Sequence, residues 1–306
     1  MSSEDETSCI FVSTRGIMKS CTLFPSFFEN GQMIYNNFNI NINPGESIYI
    51  HFDLVEHFIN AILPHMKTPF VLVSGNSDHT CIEDFPSSNK LLDSPLLLAW
   101  FSQNVTCDHP KLYHIPIGLD YHTLSFNVGS HEWTNVMTPI TPKLQELSIR
   151  RIRNKINKLN ECKAIACTNF HLAMGGPIRR TQYRLPIYEK LKNKNIIWLP
   201  KQTREEFWES LNEISFVICP FGNGLDTHRT WEVLMLGRIP IVEKSNLNKV
   251  YDGLPIIEVE DWNEINDIFL ERQFVKIVNK LKSKEYKLER LMLSYWNNKI
   301  ASYKLN

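Results

Sequence analysis

The chain has 306 residues, 43% of them hydrophobic and 22% charged, which suits two globular domains of ordinary size and excludes an extended disordered protein. Basic and acidic residues number 33 each, so no net field draws the chain to nucleic acid or to an anionic membrane. No stretch reaches the roughly 18 apolar residues of a membrane span, and the polar, acidic start (Ser2 to Glu6) is unlike a signal peptide, so a cytoplasmic protein is expected.

In the first half, Cys9 to Ser13 reads as a short strand closed by a turn at Thr14-Arg15-Gly16. Ser47 to His51 is a second strand and Leu54 to Met66 a helix, with Leu54, Phe58, Ala61 and Ile62 on one face. Phe70 to Val73 is a third strand and runs into the polar loop Ser74 to His79. Leu96 to Phe101 is another apolar run, and the strand Lys111 to Ile115 ends in Pro116-Ile117-Gly118-Leu119-Asp120. Residues 17–46 and 121–142 carry no firm pattern. A basic amphipathic helix over 143–159, with Leu144, Leu147, Ile152 and Ile156 as its apolar side, marks the boundary between a domain at 1–142 and another at 143–306. Its charge run fits a solvated face better than a nucleic-acid surface.

Strand and helix alternate in the second half. Lys163 to Thr168 is a strand, followed by a loop with Gly175-Gly176 and a helix from Arg180 to Leu191 opened by Arg179, Arg180 and Arg184. Ile196 to Leu199 is a strand, and Thr203 to Glu206 forms a capping box for a helix reaching Ile214. Ser215 to Cys219 is a buried-strand run that breaks at Pro220 into Phe221-Gly222-Asn223-Gly224-Leu225-Asp226. Asp226 is expected to cap a helix from Thr227 to Leu236, with Gly237 as its left-handed closing residue and Ile239 to Val242 as the next strand. The helices Trp262 to Lys282 and Lys284 to Tyr303 finish the chain. Seven scattered cysteines read as reduced core residues, and Asn104-Val105-Thr106 is a chance match to a glycosylation tripeptide.

A strand, glycine loop and helix N-terminus at the carboxyl edge of a parallel sheet form an anion site. Arg229, in the first helical turn, suits a phosphate; Glu232, three residues on, suits hydroxyls of the same ligand, and a nucleotide diphosphate sugar offers both. The competing assignment is structural: Asp226 a cap, Arg229 and Glu232 an ion pair, the glycines a turn. Neither GxGxxG nor a P-loop is present.

Leu72 to Asp78, Phe101 to Asn104, Ile115 to Gly118 and, most specifically, Cys219-Pro220 through Trp231-Glu232 with Gly237 to Val242 resemble the exostosin-like glycosyltransferases. The resemblance spans most of the chain and implies an α/β protein of two facing Rossmann-like domains, the GT-B arrangement, with an interdomain cleft. It implies an acceptor-side first domain and a second domain that holds a nucleotide sugar, such as a UDP-sugar, through Arg229, Glu232 and the loop Gly222, Asn223, Gly224, Asp226 and Thr227. The sequence departs from the family's pattern in that no N-terminal membrane helix like that of Golgi exostosins is read in these residues, and in a longer, more polar loop.

Transfer needs stabilisation of a departing diphosphate and, for inversion, a base. Arg229, the loop amides and a second clamp from Arg179, Arg180 or Arg184 meet the first need without a metal or other cofactor, and no DxD triplet is present. For the base, Asp78 is preferred to Asp120 and His79. A nonenzymatic nucleotide- or sugar-binding protein and a nucleotide-sugar epimerase are the alternative functions on the same scaffold.

Overall fold

The computed structural model describes residues 5–25, 27–29, 32–34, 42–126, 138–172 and 183–303. It is an α/β protein with two parallel sheets, four strands in the first half and five in the second, and a small antiparallel pair, β1 (Phe27–Glu29) and β2 (Gln32–Ile34).

The first sheet follows chain order: β3 (Ser47–His51), β4 (Phe70–Gly75), β5 (Leu97–Ser102) and β6 (Leu112–His114). These strands are apolar on both faces because both are covered. Ile48, Ile50, Phe70, Leu72 and Trp100 pack under the crossover segments, which include α2 (Val55–His57), its continuation to His65, and α3 (Ser88–Leu92). The crossover helix expected over 54–66 exists but changes winding within it, from 3-10 to α to π and back. On the other face, Tyr49, Val71, Val73, Ala99 and Phe101 join a core that continues into the second half.

Two elements distant in sequence cover that second face. The expected turn at Thr14-Arg15-Gly16 is instead the first turn of a helix, α1 (Thr14–Ser20), because Ser13 Oγ accepts the Gly16 N–H at 3.1 Å and supplies an N-cap. The last helix packs beside α1, and Tyr303 sets its ring 5.5 Å from Phe101 and 5.1 Å from Tyr113. The expected strand at 9–13 is reduced to bridges: Phe11 pairs with Met292, and Ser13 with Gly118.

After α4 (His122–Phe126), α5 (Pro142–Lys155) buries only part of the face expected of it, Ile152 with Ile156 just beyond its end. Leu144 and Leu147 are about half exposed, whereas Gln145, Glu146, Ile149 and Ile152 are buried. Glu146 Oε1 accepts the N–H groups of Ile10 and Phe11, both at 2.7 Å, so backbone donors replace water around a carboxylate with no solvent contact.

The second sheet runs β11 (Ile257–Val259), β10 (Ile239–Glu243), β9 (Ile214–Ile218), β7 (Lys163–Thr168), β8 (Ile196–Trp198). This is the doubly wound order, in which the crossovers reverse direction between β7 and β9. Its helices are α6 (Arg184–Leu191), α7 (Arg204–Ser210) behind the expected capping box, α8 (His228–Met235) and α9 (Asp267–Lys282), while α10 (Leu293–Ala301) is the last helix, beside α1. Gly237, at φ +73°, ends α8 as expected. Its N–H and that of Arg238 bond back to Leu234 and Val233 at 3.0 and 2.9 Å, a Schellman closure. Val217, Cys219, Trp231 and Leu234 meet Tyr49, Val73 and Phe101 in one continuous core, so the two sheets are joined by apolar packing as well as by loops. No helix among the described residues is long and apolar enough to cross a membrane.

Candidate functional site

Open parallel sheets bind ligands where the strand order reverses, in the crevice outside the carboxyl ends. Here that crevice lies between the ends of β7 and β9, and the side chains gathered there are cationic. Arg229, from the first turn of α8, donates through Nη1 to Asn169 Oδ1, just past β7. Its guanidinium lies 3.7 Å from the centre of the Phe207 ring, and Nε is 3.5 Å from Glu232 Oε2. Arg184, at the start of α6, donates Nε to the Phe221 carbonyl at 2.9 Å and Nη1 to the His171 carbonyl at 3.1 Å. Burial, then the charge of Arg229, pulls the Arg184 pKa down to about 10. The same order of causes, burial and then Arg184 and Arg229, lowers His171. Two arginines held close enough to repel each other are thus fixed by carbonyl and amide acceptors, a pair of positive charges of the kind that a multiply charged anion offsets.

The structure divides the expected donor residues into groups with different work. Arg184 and Arg229 converge; Glu232 is 5% exposed and lies beneath Arg229. Thr227 is the N-cap residue of α8, its hydroxyl 3.1 Å from that of Thr230. Arg179 and Arg180 lie outside the described residues. Asp226 does not cap the helix. Its carboxylate is 3% exposed and accepts from the Ile117 N–H (2.8 Å), the Tyr251 hydroxyl (2.6 Å) and Trp231 Nε1 (2.9 Å), which leaves it no room for a ligand. Burial raises its pKa, against these donors.

The glycine loop is likewise shaped by the other half. Gly222 N–H closes on the Gly224 carbonyl at 2.9 Å, and a Cβ on Gly224 would stand 3.2 Å from both Asn104 Nδ2 and Asp78 Oδ1. Gly224 is therefore a point of close approach between the two sheets' loops, while Gly222 and Asn223 keep partial exposure on the Arg184 side. Asn104 joins the halves: its Oδ1 accepts the Asp226 N–H at 2.9 Å and its Nδ2 donates to the Ser77 carbonyl at 3.0 Å. At 3% exposure it presents no surface for the tripeptide it belongs to.

Of the three expected bases, Asp78 is exposed and abuts Gly224. His79 is held among its own loops, with Nδ1 3.3 Å from Asp84 Oδ2, Nε2 4.0 Å from Asp53 Oδ1 and its ring edge-on to Phe85. Asp120 is buried at the end of the first sheet, where Thr123 donates both its N–H (3.0 Å) and its hydroxyl (2.6 Å) to the carboxylate. Burial alone would raise Asp120, but His122, His228 and Thr123 together hold it well below the usual carboxylate range.

Around Asp120 lie residues that sequence reasoning passed over. His122 Nδ1 is 3.0 Å from Asp120 Oδ1, and its ring centre is 5.9 Å from that of His228. His228 opens α8 and donates Nδ1–H to the Gly118 carbonyl at 2.7 Å, so the cluster faces the start of the helix that carries Arg229. Arg15, 4% exposed, adds its charge near Asp120 and stacks on Phe126. The available signals were the neighbour relation of His228 to Arg229 and the Asp-x-His spacing at 120–122.

Burial presses the His122 pKa down to about 4 against the pull of Asp120, with Arg15, His228 and Arg204 adding to the depression. Since an ordinary imidazole titrates near 6.5, the unfolded chain binds a proton that the folded one refuses between those values. The stabilisation is complete above about pH 6.5 and is lost as pH falls toward 4, an effect of about 3 kcal/mol. Melting temperature should therefore fall across this window and fall less in His122→Gln; identical pH slopes in the two proteins would remove His122 from the acid response.

No protein-family model and no curated protein matches the sequence. Among solved structures, an α1,3-fucosyltransferase with GDP-fucose is 12% identical over 94% of each chain with a TM-score of 0.38. The apo structure of OtsA is 10% identical, covering 87% of this chain and 74% of its own, with a TM-score of 0.42. The catalytic domain of starch synthase IV from Arabidopsis thaliana, bound to ADP and acarbose, is 12% identical over 89% and 80%, with a TM-score of 0.32. Identities and scores this low establish neither a family nor an activity.

Proposed function

We propose that the protein is a glycosyltransferase that moves a sugar from a nucleotide diphosphate sugar to a hydroxyl acceptor, with inversion and without a metal ion, and that its kinship is with exostosin-like enzymes of GT-B architecture. The observation that carries this reading is the convergence of Arg184 and Arg229 at the switch point of a doubly wound sheet, beside the N-terminus of α8. A leaving diphosphate gains negative charge as the glycosidic bond breaks, and fixed guanidinium groups stabilise that charge without reorganising. The glycine loop, with Asp78 and Asn104 against it, brings the first half of the chain to the edge of this site, where an acceptor hydroxyl is to be presented.

The test is release of nucleoside diphosphate from UDP-, GDP- and ADP-sugars, with and without an acceptor glycan library, in buffer containing EDTA. Acceptor-dependent release that persists in EDTA is expected. Binding without release, or release without need of an acceptor, would favour a binding protein or an epimerase; strict dependence on added Mn²⁺ would overturn the metal-free clamp.

A further inference from the structure

We infer that His122 is the general base of the transfer and that Asp120 is its positioning residue, an inference that rests on the transferase reading. Three observations meet here. The first is orientation: Asp120 Oδ1, 3.0 Å from His122 Nδ1, selects the tautomer with the proton on Nδ1 and leaves Nε2 as an acceptor. The carboxylate that does this is itself fixed by the two Thr123 donors, and its main-chain oxygen accepts Arg204 Nη1 at 2.6 Å. Asp120 is thus held by bonds made before any substrate arrives, and His122 lies in ion-pair contact with it.

The second observation is place. His122 stands at the carboxyl end of the first sheet, 5.9 Å ring to ring from His228, the residue directly before Arg229. The third is access: the His122 side chain is 20% exposed while Asp120 is 8% exposed, so the imidazole and not the carboxylate meets a substrate. The charged and titratable groups around the ring are Asp120, Arg15, His228 and Arg204. Burial, reinforced by Arg15, His228 and Arg204 and opposed by Asp120, keeps the imidazole neutral at neutral pH, the state a base must have.

In the step itself, the acceptor oxygen forms a bond to the anomeric carbon as its proton passes to His122 Nε2. The bond from that carbon to the diphosphate oxygen breaks, and its electron pair leaves with the nucleoside diphosphate. The imidazolium produced is stabilised by Asp120, as in other carboxylate-imidazole pairs, and then yields its proton to solvent.

The experiment compares wild type, His122→Gln, His122→Ala and Asp120→Asn for acceptor-dependent nucleotide release and for binding of UDP, GDP and ADP by calorimetry. His122→Gln should lose 10²- to 10⁴-fold in kcat, on the order expected for a lost general base, with nucleotide affinity within about threefold of wild type. Added imidazole should restore part of the activity of His122→Ala in proportion to its concentration, which a purely structural role would not allow. Asp120→Asn should lose less and change the pH profile. Retained kcat in a His122→Gln protein that binds nucleotide overturns the inference while leaving the transferase reading intact. A kcat loss in His122→Ala that imidazole leaves untouched likewise overturns it. Wild-type protein that neither binds nor turns over any of the nucleotide sugars overturns both.

Discussion

Asp226→Ala should destabilise the protein by about 3–5 kcal/mol, the scale on which a buried charged network fails when one partner is removed. Three donors converge on that carboxylate: a main-chain N–H from the first half at Ile117, and Tyr251 and Trp231 from the second. Neither ring donor gains water when the side chain is cut back, because Tyr251 and Trp231 are at most 3% exposed. Asp226→Asn keeps the shape and one acceptor oxygen and should lie between the two. Thermal melts check this, with a fall of roughly 6–10 °C expected for the alanine variant. A melting point unchanged within about 2 °C would show that the two halves are held by apolar contact alone. Because the bond to Ile117 crosses between the sheets, the alanine variant should also bind nucleotide more weakly than its folded fraction accounts for.

Alanine at Arg184 or at Arg229 should each weaken binding of UDP, GDP or ADP by about 1.5–3 kcal/mol, or roughly 10- to 150-fold, with the double variant beyond the range of titration calorimetry. The ligand-free proteins should behave differently. Each arginine makes hydrogen bonds that alanine loses, but each also sits in the other's field, which adds to burial in depressing the Arg184 pKa. The relief of repulsion offsets the lost bonds, so melting points without ligand should stay within a few degrees of wild type. The gain on adding nucleotide should vanish with the affinity. Wild-type affinity in either well-folded single variant would return that arginine to a structural role.

Much of the scaffold was legible because both sheets are covered on both faces, which turns strands into short apolar runs with sharp ends. Ser47–His51 and Lys163–Thr168 are found at the residues expected, and so are the capping box at Thr203 and the closing turn at Gly237. What could not be read locally was decided by partners far along the chain. Nothing near Glu146 in sequence marks it as buried, since the groups that bond it are N–H groups 135 and 136 positions away. Asp226 had the right identity and place for a cap, but donors from Ile117 and Tyr251 compete for the same oxygens and win. His122 drew no notice because its significance depends on Asp120 and on His228, and the last of these reaches it only after the halves are assembled.

The pairing of the chain's two ends also fixes when the protein can finish folding. The Phe11 and Val12 backbone bonds to Leu291 and Met292, Leu293 donates to the Ile10 carbonyl, and Tyr303 rests on Phe101 and Tyr113. During synthesis, the four strands of the first sheet leave the ribosome well before the segment that seals one of their faces. At about 5–20 residues per second, the nearly 200 residues between Tyr113 and Tyr303 take on the order of 10–40 s to emerge. Throughout that interval the nascent sheet keeps an unsealed apolar face, a substrate for chaperones.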